Sequence, residues 1–518
     1  MSSLVNRRAA AGLTAAICTL ALLDGVNGAL GSVIRPYLMG SVAGGPDEIA
    51  WAAIAYFSAK LTAFLLSQRS SDVFGERHLL LGAAALLVIV TALSGFAEST
   101  PFLVSVQLLQ GAAGGIVLAV GQGVLLKRCG RGAQPIIQAF LAFAVLVFPV
   151  MIVPFVLGAT AYAMHWSYVS FVCASLGGIA WLALHAVRDH LDEHVIRNEL
   201  PAGRALLLAG SLAGVVYVLL EGVRHAWSES SIIVLTLVCA GAGLGIFGWL
   251  EIHRDDRLLE YRPFRLADFT FGVCVSLLAG VALLGSGTMI TMLANGLLGY
   301  TAPQSGLVQQ WSAPFAVLAL GAVGFCLRQP RIPPPLFLAT GVVLFALGMW
   351  SLGGITSGMA ADDLFASICL RGFGLGCLFL TLTMISLGSV PAEHATAAAG
   401  FFNFGRHFGG LLGISWMQTL HEHLMSRGHE ALAAAWTPAN PEFTQALAQA
   451  KGVLIAQGAT LAQASTQAMA LLTAEFQRET SALAFNGCFQ ALAMLFVFAV
   501  PIVVIVRVTT ELCLLHGE

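Results

Sequence analysis

Fourteen times along these 518 residues, a predominantly apolar run of roughly bilayer-spanning length interrupts the polar sequence. The runs cover 10–34, 51–68, 79–96, 102–126, 136–161, 167–187, 205–222, 231–250, 269–296, 306–327, 335–353, 363–389, 397–420 and 484–506. A bilayer core offers no water to backbone N–H and C=O groups, so such runs fold as helices that satisfy those groups internally. An all-α polytopic membrane protein is therefore expected. Charge agrees: 10% of the residues are charged, against about a quarter in soluble domains. Arg7 and Arg8 before an apolar stretch could suggest a cleaved leader. That stretch is too long, contains Asp24 and lacks an A-x-A site, so a retained first span is expected.

Lysine and arginine orient the spans. With fourteen crossings both termini share a side, and a cytoplasmic N-terminus places seventeen of these residues on inner segments and two, Arg35 and Arg224, on short outer loops. The charged stretch "RDHLDEHVIRNELPAGR" at 188–204 divides the chain after six spans, giving a 6+2+6 layout. The expected parts are a six-helix bundle (1–187), a cytoplasmic linker (188–204) and two extra spans (205–250). Spans nine to thirteen (251–420), a long outer loop (421–483) and the last span with its tail (484–518) follow. That loop is rich in Ala and Gln with apolar residues at helical spacing, which predicts a small helical cap or a dock for a periplasmic adaptor protein.

Several chemistries are excluded. A net charge of −2 without a basic run argues against nucleic acid. Ten scattered cysteines with no C-x-x-C pair indicate neither a zinc site nor a disulfide framework. His421, His423 and His429 with Glu422 lack a fourth convincing metal ligand. No G-x-x-x-x-G-K-[ST] nucleotide loop occurs, and no acid–base cluster suits a catalytic centre. No cofactor is expected, and neither is an enzyme. The bilayer itself is the chain's main partner.

The charges inside the spans carry the functional reading. Asp24, in "LALLDGVNGALG", lies near the middle of the first span, where an ionised carboxylate costs about 2.5–3.5 kcal/mol or more. It is either a neutralised group bonded to a neighbour such as Asn27, or a carboxyl that exchanges a proton during transport. Lys60 in the second span needs a partner, and Asp24 is the carboxylate at similar depth. The pair is either structural or one whose partners exchange. Arg371 and Arg406 place two cations in the second half. Arg406 is an inner-end anchor or a cavity group, and Arg371 is expected to line the cavity and receive anionic substrate groups. Gln309, Gln310 and Trp311 are further pocket candidates. Glu221 and Glu251 fall at span ends and read as interfacial.

Several short motifs then occur in a telling order. "SSDVFGER", with Asp72, Gly75 and Arg77, resembles the signature between the second and third spans of the major facilitator superfamily. Trp51 and Tyr56 in "WAAIAYF", Gln110 and Gly111 in "VQLLQGAAGG", and Asn403 and Arg406 in "FFNFGRHFGG" resemble motifs of its fourteen-span drug:proton antiporter branch. Pro154 and Gly158 are what remains here of that branch's fifth-span helix-packing motif. The resemblance covers residues 20–420 and implies the major facilitator fold, alternating access, an inner gate at Asp72, Gly75 and Arg77, and multidrug efflux from a bacterial inner membrane coupled to protons. It also places Gln107 where the branch carries an arginine implicated in coupling, so Lys60 is expected to supply that cation. Other readings remain: a dedicated metabolite or siderophore exporter or facilitator without proton coupling, a membrane-embedded transferase, or a transporter-like sensor.

Overall fold

The computed structural model describes all residues except 1–6, 43, 193–194, 196–198, 330–333, 436–439 and 516–518. Arg197 and Arg331, counted above among the inner-segment cations, lie outside the described residues, as does part of the linker 188–204. Every regular element among the described residues is helical. The long helices are α1 (Arg7–Val33), α2 (Pro46–Phe74), α3 (Glu76–Ser94), α4 (Thr100–Arg128), α5 (Arg131–Ala163), α6 (Ser167–Ala186) and α7 (Ala202–Glu221). They continue with α8 (Ser231–His253), α9 (Ala267–Gly296), α10 (Ala302–Cys326), α11 (Pro334–Leu352), α12 (Ala361–Gly388), α13 (Ala395–Ala435) and α14 (Leu461–Leu515). Among the described residues, thirteen are long and apolar enough to cross a membrane. α13 reaches that length without that hydropathy and packs among the others, consistent with fourteen crossings.

Apolar side chains cover the outside of the assembly as well as its core. On α8, Leu235, Val238, Trp249 and Ile252 all face outward. A water-facing surface does not carry such a belt, whereas a lipid-facing one requires it.

In the first half α2 packs most extensively on α4, while in the second half α12 packs on α10 and α11. The halves meet where α13 lies against α2 and α4, and where α10 lies against α5. α7 leans on α2 and touches α13, and α8 packs on α7 at the periphery.

Two helices depart from regular winding at positions the sequence does not advertise. α5 is π-wound over Phe143–Ile152, around Pro149, and α9 over Val281–Gly285. Proline removes one backbone donor, and π-winding re-routes the neighbouring bonds. α10 is interrupted at Trp311, between Ala302–Gln310 and Ser312–Cys326.

The stretch 421–483 differs from a loop with a small cap. α13 runs 41 residues without a break to Ala435, and α14 starts at Leu461, so both helices extend well past any bilayer. A separate helix, Pro441–Ala456, packs on α14 between them. Alanine and glutamine, both good helix formers, explain why helix propagates here where sparse hydropathy suggested a loop.

Candidate functional site

Asp24 is buried in α1, and its carboxylate is held from both sides by α2. Lys60 Nζ donates to Asp24 Oδ2 at 2.6 Å, and the Tyr56 hydroxyl lies 2.7 Å from Oδ1 and 2.9 Å from the Asp24 carbonyl. Lys60 Nζ also donates to Tyr56 Oη at 2.9 Å, which closes a three-membered ring of hydrogen bonds. Tyr56 and Lys60 are one helical turn apart, so α2 presents both to the same point. Phe64, a further turn along, sits beneath the ammonium, 6.0 Å from ring centroid to Nζ.

α4 shapes the other wall. A Cβ on Gly114 would collide with Asp24 Oδ1, so only glycine leaves room for the carboxylate there. Gln107 lies buried two turns earlier on that helix and is not among the groups that hold Asp24. Gln110 reaches the Val90 carbonyl at 3.4 Å, and its own Oε1 is buried without a partner. Asn27 donates to Thr91 Oγ1 at 2.7 Å rather than to Asp24, so neutralisation of Asp24 through Asn27 does not occur.

A second polar system crosses between the halves. Arg406 Nη2 donates to Asn403 Oδ1 at 2.5 Å, and Asn403 Nδ2 to Gln122 Oε1 at 2.7 Å. Gln122 Nε2 donates to Gln138 Oε1 at 2.9 Å, and Gln138 Nε2 to Gln134 Oε1 at 3.3 Å. Gln134 ends the relay on the Leu125 carbonyl. α13, α4 and α5 are thereby joined donor to acceptor, an arrangement in which each bond polarises the next. His407, beside Arg406, packs its ring on Phe64 and donates from Nδ1 to the Asn403 carbonyl at 2.9 Å. Arg406 is therefore buried inside the assembly, not anchored at its edge.

Arg371 belongs to a third group, inside the second half. Its guanidinium donates to Ser286 Oγ at 2.7 Å, Ser312 Oγ at 3.4 Å and the Leu283 carbonyl at 3.3 Å. That carbonyl lies in the π-wound turn of α9 and also accepts from the Ser286 backbone N–H. Gln309 donates nearby to the Gly287 carbonyl at 2.7 Å and to Thr291 Oγ1 at 3.1 Å. Gln310 is half-buried, and Trp311 packs edge-on against Phe365 at the break in α10. Arg371 is fully buried and satisfied by neutral groups.

At the end of the bundle carrying the α2–α3 turn, Gly75 takes φ +76°, a left-handed value that suits glycine. Gln68 donates to Asp72 Oδ1 at 2.8 Å. The Arg77 backbone N–H donates to the Asp192 carbonyl at 2.9 Å, and its guanidinium lies 3.7 Å from Asp189. Around these stand ion pairs that the motif does not name. Arg69 pairs with Asp256 at 2.7 Å, Lys127 with Glu76 at 2.8 Å and Arg128 with Asp192 at 2.5 Å. Arg204 reaches Glu251 at 3.5 Å and Asp256 at 3.3 Å. The hydrogen bond from Arg69 and the two nearby guanidinium charges hold the Asp256 carboxyl below its ordinary range. Glu251, read as interfacial, is buried and also accepts from the Leu259 N–H at 2.7 Å.

At the opposite end, Pro154 and Gly158 of α5 sit against the start of α10. A Cβ on Gly158 would meet the Ala302 carbonyl at 2.8 Å, and one on Gly306 would meet Phe155 at 2.5 Å. The halves therefore touch at both ends, and small cavities lie between them, one lined by Gln122, Gln138, Thr383, Asn403 and Arg406 and one by Leu146, Met151, Leu283 and Phe379.

Tyr56, Gly114, Gln122, Gln138, Arg69 and Asp256 all escape a reading that ranks residues by charge at depth. Tyr56 and Gly114 carry no charge, and the Arg69–Asp256 pair spans 187 positions.

A profile of the Major Facilitator Superfamily matches residues 16–414. The chain is 25% identical over 463 residues to the multidrug export protein EmrB of Escherichia coli K12, covering 88% of this chain and 87% of that one. It is 24% identical over 478 residues to the fatty acid resistance protein FarB of Neisseria gonorrhoeae, covering 92% and 91%. Among solved structures it resembles the proton:xylose symporter XylE, with a TM-score of 0.55, 14% identity and coverage of 95% and 96%. Helical architecture, paired halves and a family match over most of its length agree: this chain belongs to the Major Facilitator Superfamily.

Proposed function

We propose that this chain exports small amphipathic organic compounds across a bacterial inner membrane by alternating access, in exchange for protons. Both termini would face the cytoplasm, with the two six-helix bundles rocking about the central cavities. The observation that carries the reading is the buried ring of Asp24, Tyr56 and Lys60. Protonation of Asp24 would release Lys60 from its ion pair, and a cation freed in a low-dielectric interior must find new partners. Such a switch links proton occupancy to the packing of α1 against α2. Lys60 supplies the cation that Gln107 lacks. Asp72, Gly75, Arg77 and the surrounding ion pairs would form the inner gate. The projecting ends of α13 and α14, with Leu461 and Leu471 exposed on α14, would receive a periplasmic adaptor.

The multidrug and fatty-acid resistance assigned to the relatives, and the absence of a clustered acid–base site, favour a carrier over an enzyme. The test is counterflow and proton release in proteoliposomes across a panel of organic cations and anions. Substrate-dependent proton movement is expected in the wild type, and Asp24→Asn is expected to abolish it while leaving binding intact. No proton movement with any transported compound would overturn antiport. A dedicated exporter without proton coupling has one observation in its favour: Asp24 is already fully paired, as a purely structural group would be. That reading requires transport to survive in Asp24→Asn.

A further inference from the structure

A ladder of polar side chains runs from Asp24 to the end of the first half opposite Gly75. Asn27, one turn along α1 from Asp24, donates to Thr91 Oγ1 of α3 at 2.7 Å. One turn further on α3, Ser94 Oγ lies 3.2 Å from Ser170 Oγ of α6. One turn back along α6, Ser167 Oγ lies 2.7 Å from Nδ1 of His165, which is exposed. Asn27, Thr91, Ser94, Ser170 and Ser167 are all buried. Residues three apart share a helix face, so each step along a helix keeps to the same side. Three such steps cover about 14 Å of depth, close to half of a bilayer's apolar core of about 30 Å.

Polarity is one-sided about Asp24. Toward Gly75 the same helices bury Ile17, Leu20, Leu80, Ala84 and Val117, all apolar. Toward the opposite end they bury the amides and hydroxyls of the ladder. Two amide oxygens there, Asn27 Oδ1 and Gln110 Oε1, are buried with no hydrogen-bond partner. Gln110 Nε2 reaches the carbonyl of Val90, the residue before Thr91, so both amides meet the same stretch of α3. A buried, unpaired oxygen is costly until a donor reaches it, and a water in transit is such a donor. The Thr91 and Ser94 hydroxyls donate to carbonyls of their own helix at 2.7 Å. Each keeps lone pairs for a second partner, and its hydrogen can turn.

We propose that protons reach Asp24 along this ladder, inside the first half, rather than through the interface between the halves. The helices that form it, α1, α3, α4 and α6, all belong to that half. A proton arriving in water at His165 moves inward by single exchanges. Each hydroxyl oxygen takes one proton and gives up another, so the hydroxyls end as they began. Asn27 Oδ1 and Gln110 Oε1 orient the last water, which accepts a proton from the ladder and passes one to Asp24. Asp24 changes from carboxylate to carboxylic acid, and Lys60 loses its ion pair. Asn27 and Gln110 are positioning residues, while Thr91 and Ser94 carry the proton. Loading of Asp24 then needs no parting of the halves, so proton and substrate travel by separate routes.

This route rests on the proton-exchange reading of Asp24. Its test times the protonation itself. The full-length protein in lipid nanodiscs is mixed rapidly from alkaline into acid buffer, and the infrared C=O band that Asp24→Asn lacks is followed as it rises. Thr91→Val and Ser94→Ala are each expected to slow that rise roughly tenfold while its final amplitude stays as in the wild type. Thr91→Ser, which keeps the hydroxyl, should restore the rate. A role in packing alone would change the amplitude or the melting temperature and leave the rate unmoved. Unchanged rates in both variants would overturn the route and leave proton exchange at Asp24 standing. If Thr91→Val does not fold, Ser94→Ala decides. The absence of any Asp24-dependent band in the wild type would overturn the route and the exchange reading together. A band that rises as expected, with no substrate-dependent proton movement in liposomes, would uphold the route and fault the exchange.

Discussion

Asp24 shows how a single costly residue constrains its surroundings. An isolated carboxylate at that depth is unstable, so the chain supplies an ammonium, a hydroxyl and a glycine-sized gap in one place. Removing one member of a buried pair strands the other, at about 3–5 kcal/mol. Lys60→Ala should therefore lower thermal stability in detergent by that amount, and adding Asp24→Asn should restore most of it. A double variant as unstable as the sum of the single ones would show that the two groups do not act as a pair. The pair itself was legible in the sequence, because α1 and α2 carry just two charges at similar depth. Tyr56 showed only as a motif residue of "WAAIAYF", not as a partner of Asp24, since its contribution is one hydroxyl aimed by the turn it shares with Lys60. Gln122 and Gln138 were equally hidden: uncharged amides in apolar runs give no hydropathy signal, and their partners lie on other helices.

At the scale of elements, the end of the bundle bearing Gly75 is held by ion pairs that bring the linker and the α8–α9 connection against α2. Asp256 is the hub, bonded by Arg69 and Arg204. Its carboxyl is held below the ordinary value, so its contribution to stability is complete above the unfolded carboxylate range, about pH 4. That contribution fades as pH falls through the lower folded value. Asp256→Asn should therefore melt earlier than the wild type at pH 7, and the two melting curves should converge as the pH is taken below about 4. A difference that persisted in acid would mean Asp256 acts through something other than its charge. The sequence marked this end through "SSDVFGER" but gave no sign that Arg69 and Asp256 pair there. Long-range pairing across 187 residues follows from the packing of whole helices, which local patterns do not encode. The π-wound turns of α5 and α9 were hidden for the same reason, although that of α9 carries the Leu283 carbonyl that Arg371 reaches.

For the whole molecule, the apolar runs marked fourteen helices in their order, thirteen of them apolar enough among the described residues to cross a membrane, because the bilayer admits so few alternatives. It failed beyond the bilayer, where α13 and α14 continue as helix and hydropathy no longer reports structure. Deleting the helix Pro441–Ala456 should leave liposome transport unchanged and lower resistance in cells, if an adaptor docks there; drug susceptibility of cells carrying the deletion measures it. Equal resistance would show that no adaptor docks on that helix.

The unbroken course of α14 has a mechanical consequence. Residues 461–483 form a rod of about 35 Å joined stiffly to a helix of the second half. If that half turns by about 15°, a rotation of the size seen in switching proteins, the free end sweeps roughly 9 Å. A lever of that length turns motion at the cavities into displacement far outside the lipid. Any protein gripping its tip would be pulled and released once in every transport cycle.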